Sequence, residues 1–347
     1  MHKVLTIAAV TLIAFATLGA TAATIKLTPV TISGGTSPIL SMVSGTGVLG
    51  GVYWNTAQNA ALGFVLNGKT LTTLPKPFEG NVGTAMVPMG FGPQKKVIGY
   101  ANYLGSYNGL IYETAVGYIS DFAAGQIPGT PEMAANSKGT IVLDAPTGSG
   151  SYLYYFGTPG PDGTLTSQLT LDPSSYLVSI TKAGLMSGSY NPGTPAVFTV
   201  TANNTVTSYS VPGSVATYGG FLNNNGQIAG TYKDGSGALH GFIEQAGVYT
   251  SFDAPVAVSA MAVQAFSDTS IVKKVSVPAY AAGVYTDQSG AQSAFLYHNG
   301  SFVPIPLPAG STGVTVVGVS TKGHVGLNVV SSAGTTAYVA VCSGSGC

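Results

Sequence analysis

Alternation of apolar and polar positions is clearest over residues 222–255, LNNNGQIAGTYKDGSGALHGFIEQAGVYTSFDAP. Within it Gln227–Tyr232 places Ile228, Gly230 and Tyr232 on one face, the period-two pattern of a half-buried strand. Asp234-Gly235-Ser236-Gly237 follows, and its glycines can reach the positive φ angles of a tight hairpin. Leu239–Ile243 and Val248–Phe252 predict two further strands, separated by a turn near Gly247. Asn223–Gly226 is the entering turn, and Pro255, with no N–H to give a ladder, closes the unit.

The same landmarks return along the chain. Gly230 precedes Phe242 by 12 residues, as Gly283 precedes Phe295, Gly326 precedes Tyr338 and Gly99 precedes Ile111. Gly188 to Phe198 is 10 and Gly51 to Phe64 is 13. A proline follows Phe242 and Phe295 by 13 residues (Pro255, Pro308), Phe198 by 14 (Pro212) and Phe64 by 11 (Pro75). Glycine-to-glycine steps of 48, 42, 53 and 43 leave a gap of 89 between Gly99 and Gly188, room for one irregular unit around Ile141–Pro173. One sheet unit therefore repeats seven times, over about 39–77, 84–127, 133–173, 178–212, 218–255, 260–308 and 313–341, with an insertion near Val272–Tyr280. No stretch shows helical periodicity, and no linker separates domains.

The central unit resembles the HAF-type extracellular repeat of bacterial secreted proteins, which runs roughly I-N-x-x-G-Q-I-V-G-x-Y, D, H-G-F-L and D-x-P. Asn223, Gly226, Gln227, Ile228, Gly230, Tyr232, Asp234, His240, Gly241, Phe242, Asp253 and Pro255 match that pattern. The 282–308 unit matches at Gly283, Tyr285, Asp287, Gly290, Phe295, Leu296 and Pro308, with Ser293-Ala294 where His-Gly would stand. The resemblance covers about 90 residues and implies a β-propeller-like fold with no established chemistry. A propeller must close, because an open edge strand invites aggregation. The last unit supplies three strands (Val314–Val319, His324–Val330, Thr335–Val341), and Thr24–Ile32 is a strand without a partner of its own. The expectation is therefore an all-β, seven-bladed propeller of four-stranded blades, closed by the N-terminal strand pairing with the last blade. Six blades is the alternative count, and a loose N-terminal tail the alternative to closure.

Residues 1–23 read as a secretory signal peptide: His2-Lys3, the apolar run Val4–Leu18, and the small residues Ala20-Thr21-Ala22. The run is too short and wrongly flanked for a membrane span, so residues 24–347 are expected as one secreted domain. Twelve basic and twelve acidic side chains balance to zero, with no arginine. Lys95-Lys96 and Lys273-Lys274 are the only basic pairs, too few to displace counterions from nucleic acid. The only cysteines, Cys342 and Cys347, read in a secreted chain as a small disulfide-looped tail over 342–347.

Candidate chemistry is sparse. His240, His298 and His324 are the histidines after the leader, at different places in their units and not convergent. His240 borders a core strand, His298 lies in a turn, and the expected role is structural. Asp234 and Asp287 occupy equivalent hairpins, each followed by Ser-Gly within three residues. They are candidate Ca²⁺ ligands, against the commoner role of capping their own turn. No carboxylate pair stands close in sequence for glycosidase chemistry, no nucleophile elbow appears, and no cofactor is implied. Tyrosines on the repeat belong to packing. Trp54 and the off-repeat Tyr103, Tyr107 and Tyr152 are the candidate ligand-binding residues, through stacking on sugar faces. The expected function is a secreted, non-catalytic binding or scaffold module for a glycan or protein. The alternatives are a polysaccharide hydrolase or lyase with channel-lining carboxylates, and a structural surface or matrix protein.

Overall fold

The computed structural model describes residues 23–77, 84–92, 96–103, 106–113, 117–121, 133–146, 152–157, 167–169, 171, 175–190, 195–272, 274–344 and 346–347. Of 102–103, 106–108, 117–121, 133, 143–146, 152–157 and 167–169 it describes the backbone only. Every regular element among the described residues is a β-strand. The leading strand is Thr24–Pro29 (β1). Sheet I is Gly35–Val43, Leu49–Asn55, Ala60–Asn67 and Thr70–Leu74 (β2–β5), and sheet II is Val87–Phe91, Val97–Tyr103, Ser106–Glu113 and Gly117–Asp121 (β6–β9). Sheet III is Met133–Ala135, Ile141–Pro146, Tyr152–Gly157 and Ser167–Leu169 (β10–β13). Sheet IV is Ser175–Ile180, Met186–Tyr190, Ala196–Val200 and Val206–Tyr209 (β14–β17). Sheet V is Ser214–Leu222, Ile228–Asp234, Leu239–Gln245 and Val248–Phe252 (β18–β21).

Sheet VI begins with Val258–Phe266 (β22), then carries a two-stranded hairpin, Ser270–Val272 and Val275–Val277 (β23 and β24). It resumes with Ala281–Asp287, Gln292–His298 and Ser301–Ile305 (β25–β27). Sheet VII is Ser311–Val319, Val325–Ser331 and Gly334–Ser343 (β28–β30), with β1 antiparallel on β30 from Thr24↔Ser343 to Pro29↔Tyr338. Each sheet is an antiparallel meander, and the first strand of each packs on the sheet before it. Four-stranded meanders packed in succession make a β-propeller. Sheets I and VII also meet: Leu40 donates its N–H to Asn328 Oδ1 at 2.9 Å, and Asn328 Nδ2 donates to the Leu40 carbonyl at 2.8 Å.

The glycine landmarks follow from a bulge in the first strand of their own sheets. Register shifts interrupt β2 after Leu40, β14 after Leu177, β18 after Gly219 and β22 after Val263. A bulge bends its strand and re-aims its carbonyls. Here the first strand's carbonyls lie over the glycine of the second strand. A Cβ on Gly51 would sit 2.0 Å from the Ile39 carbonyl oxygen, on Gly188 2.0 Å from that of Tyr176, and on Gly283 2.0 Å from that of Ala262. The aromatic landmark stands directly opposite the glycine on the third strand: Gly51↔Phe64, Gly188↔Phe198, Gly230↔Phe242, Gly283↔Phe295. All four phenylalanines are fully buried. Two of the equal intervals are coincidences of number, since Gly99 faces Leu110 rather than Ile111, and Gly326 faces Val339 rather than Tyr338. First strands also begin earlier than alternation suggests, at Ser175, Ser214 and Val258, because bulges break the period of two.

Apolar cores lie between neighbouring sheets. Val197 of sheet IV joins Leu222, Ile228 and Phe242 of sheet V, and Phe252 of sheet V joins Met261, Phe295 and Tyr297 of sheet VI. Val30 and Ile32, just after β1, pack with Leu40, Phe64 and Ala337. At one end of the sheets, the turns after the first strands link in sequence. Asn136 Nδ2 donates to the Thr181 carbonyl, the Lys182 N–H to Asn224 Oδ1, and Asn223 Nδ2 to the Ser267 carbonyl. The Thr321 N–H donates to the Gly45 carbonyl, joining sheets VII and I. Asn136 and Asn223 are buried, and buried polar groups so paired fix the rotation of one sheet against the next. Cys342 and Cys347 form a disulfide, and the Tyr280 hydroxyl donates to the Cys347 carbonyl at 2.7 Å.

Candidate functional site

The strand register of sheet V brings four residues of the resemblance together. Tyr232 faces His240 across β19 and β20, and their rings stack at 4.8 Å between centroids. His240 Nδ1 lies 2.5 Å from Asp253 Oδ1 and Nε2 lies 3.3 Å from Asp234 Oδ2. With a carboxylate at each nitrogen, the doubly protonated imidazolium donates to both, whereas a neutral ring faces one carboxylate without a proton. Burial alone would lower the His240 pKa, but the hydrogen bonds and charges of Asp253 and Asp234 outweigh it and hold the pKa above the ordinary 6.5. Asp234 is lowered to about 2, chiefly by the Ser236 hydroxyl, against desolvation that raises it, with the Ala238 N–H and His240 adding to the lowering.

A folded-state pKa raised above its unfolded value contributes stability that is complete below pH 6.5 and is lost as pH rises through the raised value. His298 and His324 are shifted downward by burial and lose their contribution in the opposite direction, as pH falls below 6.5. The difference between the wild type and His240→Gln isolates the first effect. Its urea midpoint advantage is expected to shrink steadily from pH 6 toward alkaline pH, with the His240 ring titrating above 6.5 by NMR. A constant difference across that range, or a ring pKa at or below 6.5, would remove the ion-paired imidazolium.

Asp234 Oδ1 accepts from the Ser236 N–H, the Ser236 hydroxyl and the Ala238 N–H, and Asp287 Oδ1 accepts the equivalent set from Ser289 and Ala291. Both oxygens are thus committed to their own turns. Among the described residues no group of three His, Cys, Asp or Glu is arranged to hold a metal ion. His298 is not in a turn but ends β26, 8% exposed, with its ring stacked on Tyr280 at 3.9 Å. Trp54, 38% exposed on β3, lines none of the clefts below. Tyr103, Tyr107 and Tyr152 fall in β7, β8 and β12, and their side chains lie outside the described residues.

Three of the concave regions among the described residues lie on the face of the linking turns. One of about 290 Å³ opens where sheets I to V converge, with Met42, Phe91, Ser137, Lys182 and Asn224 around it. The second, about 420 Å³, lies between sheets I and II, with Val48, Asn67, Thr72 and Phe91. The third, about 510 Å³, lies at the equivalent place between sheets V and VI, with Gln227, Gln245, Thr250 and Phe266. None of these positions stands out in the sequence as a binding residue. The available signal was Gln227 in the repeat pattern, which marks a side chain facing the next sheet.

No family model matches the chain, and no curated protein does. Among solved structures, virginiamycin B lyase from Staphylococcus aureus is similar at 11% identity and a TM-score of 0.49, covering 91% of this chain and 99% of its own. The C-terminal WD40 domain of Sif2 is similar at 11% identity and 0.46, covering 88% and 97%. TolB from Acinetobacter baumannii is similar at 12% identity and 0.44, covering 81% and 59%. At these identities and scores none of the three bears on ligand or activity.

Proposed function

We propose that the chain is a secreted, non-catalytic binding or scaffold module for an extracellular glycan or protein. In this reading residues 1–23 are a cleaved leader, most of which lies outside the described residues. The seven sheets are seven blades of one closed ring over 24–347, β1 is the closing strand, and the unit is a HAF-type repeat. One observation carries the functional reading: among the described residues these concave surfaces are lined by amides, hydroxyls and apolar groups, with Lys182 their one charged side chain, while the Asp234–His240–Asp253 cluster is spent on hydrogen bonds within its own sheet. Catalysis by acid–base chemistry needs such groups aimed at a substrate. Binding modules need shape, hydrogen-bonding groups and a partly apolar surface. The test is isothermal titration against glycan and extracellular-protein panels, with reducing-sugar and unsaturated-product release followed in parallel. Binding without turnover is expected. Product release that stops on removal of one carboxylate would overturn the reading in favour of an enzyme.

A further inference from the structure

Resting on the binding-module reading, we infer that the cleft between sheets V and VI is a site for an uncharged sugar unit of a glycan chain. The argument starts from the orientation of three amides. Asn223 Oδ1 accepts the backbone N–H groups of Asn225 and Gln227, both at 3.0 Å, so its other atom must be the NH₂. That NH₂ donates to the Ser267 carbonyl of sheet VI and to Gln227 Oε1 at 2.8 Å. Gln227 Nε2 is thereby the donor to Gln245 Oε1 at 3.0 Å. The Gln245 NH₂ is left at the end of the chain, in the lining of the cleft, with its direction fixed from the buried backbone outward. A donor held in place by a satisfied network gives direction to a ligand at little entropic cost.

The rest of the lining sets the class of ligand. Thr250 and Asn299 add a hydroxyl and a second free amide at the walls, and Phe266 and Ile243 add a partly buried apolar floor. Among the described residues the only titratable one in the lining is Tyr297, whose pKa burial pushes further up, so it is neutral at physiological pH. A cleft without charge has nothing to offset the desolvation of a phosphate or carboxylate. A purely apolar ligand would cover the amide chain and leave the Gln245 donor unpaired. A pyranose offers what both demand, hydroxyls on its rim and C–H faces for the floor. Val248 and Thr250, two residues apart on β21, both present side chains to the cleft, so the strand's backbone edge faces elsewhere and an added peptide strand has no ladder to join there. The cleft volume of 510 Å³ lies within the range of about 300–1,000 Å³ usual for small-molecule sites.

The equivalent cleft between sheets I and II supplies the control. Val48 stands there where Gln227 stands in sheet V, so the amide chain cannot form, although Phe91 occupies the place of Phe266. The experiment titrates neutral oligosaccharides of glucose, galactose, mannose and N-acetylglucosamine, uronate oligosaccharides and a neutral peptide set against the full protein and three variants. Thr250→Trp fills the cleft from an exposed strand position, Gln245→Ala removes the terminal donor, and Thr72→Trp fills the control cleft. Neutral glycan binding is expected, abolished by Thr250→Trp, weakened about 3- to 10-fold by Gln245→Ala, and kept by Thr72→Trp, with thermal midpoints unchanged. Neutral glycan binding that survives both sheet V variants overturns the site and leaves the module reading intact. Preference for uronates or peptides overturns the ligand class alone. No glycan binding at all overturns the inference, whereas sugar turnover overturns the module reading itself.

Discussion

Gly283→Ala is expected to destabilise the protein by about 3 kcal/mol or more, while Gly235→Ala is expected to be neutral or mildly stabilising. The two glycines differ in what a methyl group meets. At Gly283 an added Cβ would lie 2.0 Å from the Ala262 carbonyl oxygen, 2.9 Å from its carbon and 2.8 Å from the Phe295 ring. The carbonyl belongs to β22 where the register shifts past Val263, and Gly283 to β25, which is paired on both sides, so relief requires moving laddered backbone. The ring cannot yield, because Phe295 stacks on Phe302 at 4.7 Å and meets Phe252 edge-on at 6.1 Å. Overpacking a side-chain core costs about 1–3 kcal/mol, and a clash with fixed backbone belongs at or beyond the top of that range. At Gly235 nothing lies within 4 Å and φ is outside the left-handed region, so alanine only restricts the unfolded chain, a gain of about 0.4–1 kcal/mol. Urea unfolding of both variants measures the contrast. A cost at Gly283 below about 1 kcal/mol would show that the first strand does not lie over the glycine as described.

That close approach explains why so much of the fold was legible. Glycine, facing aromatic and closing proline are three parts of one device: a bulged strand over a bare Cα, a ring filling the far side, and a ladder that ends. Each leaves its mark at a fixed place in the sequence. The reading weakened where the device changes. In sheet VII a Cβ on Gly326 would meet the Val43 side chain of sheet I at 2.4 Å rather than a carbonyl of its own first strand, and its ladder partner is Val339, so counting to the aromatic Tyr338 misplaced the register by one. The Asp234–His240–Asp253 cluster was legible residue by residue and not as a cluster. Its members are 6 and 13 positions apart, and only the β19–β20 and β20–β21 registers bring them within hydrogen-bonding distance. The cleft was less legible still. Gln245 and Asn299 come from different sheets, and no local pattern records how two sheets are rotated against each other. That rotation is set by buried side chains such as Asn223 and Asn136, which in sequence look like ordinary turn residues.

Deleting residues 24–32 is expected to have the largest effect of any short truncation. β1 covers the outer edge of β30 along six residue pairs, and the Val30 N–H donates to the Ala337 carbonyl just beyond them. Val30 and Ile32 are buried against Leu40, Phe64 and Ala337, where sheets I and VII meet. Losing two buried aliphatic side chains costs about 1.5–3 kcal/mol each, and the six-residue strand adds its ladder hydrogen bonds at about 1 kcal/mol apiece. Part of that loss is offset by the conformational entropy the strand no longer surrenders. A net loss of order 5 kcal/mol is comparable with the whole stability of an ordinary domain, about 5–15 kcal/mol, and lowers the thermal midpoint by roughly 5–10 °C. The exposed edge matters as much as the energy. Gly334–Ser343, GTTAYVAVCS, is rich in β-branched residues and carries no charge, so once uncovered it offers an unguarded template for a second copy. The truncated chain is therefore expected to self-associate, and a synthetic peptide TIKLTPVTI added in trans is expected to restore both the midpoint and the monomer, while a scrambled peptide does neither. Light scattering and thermal melts with and without each peptide measure this. A truncated chain that stays monomeric at full stability would mean that β1 lies on a ring already secured by the side-chain bonds between Leu40 and Asn328, and that the leading strand closes nothing.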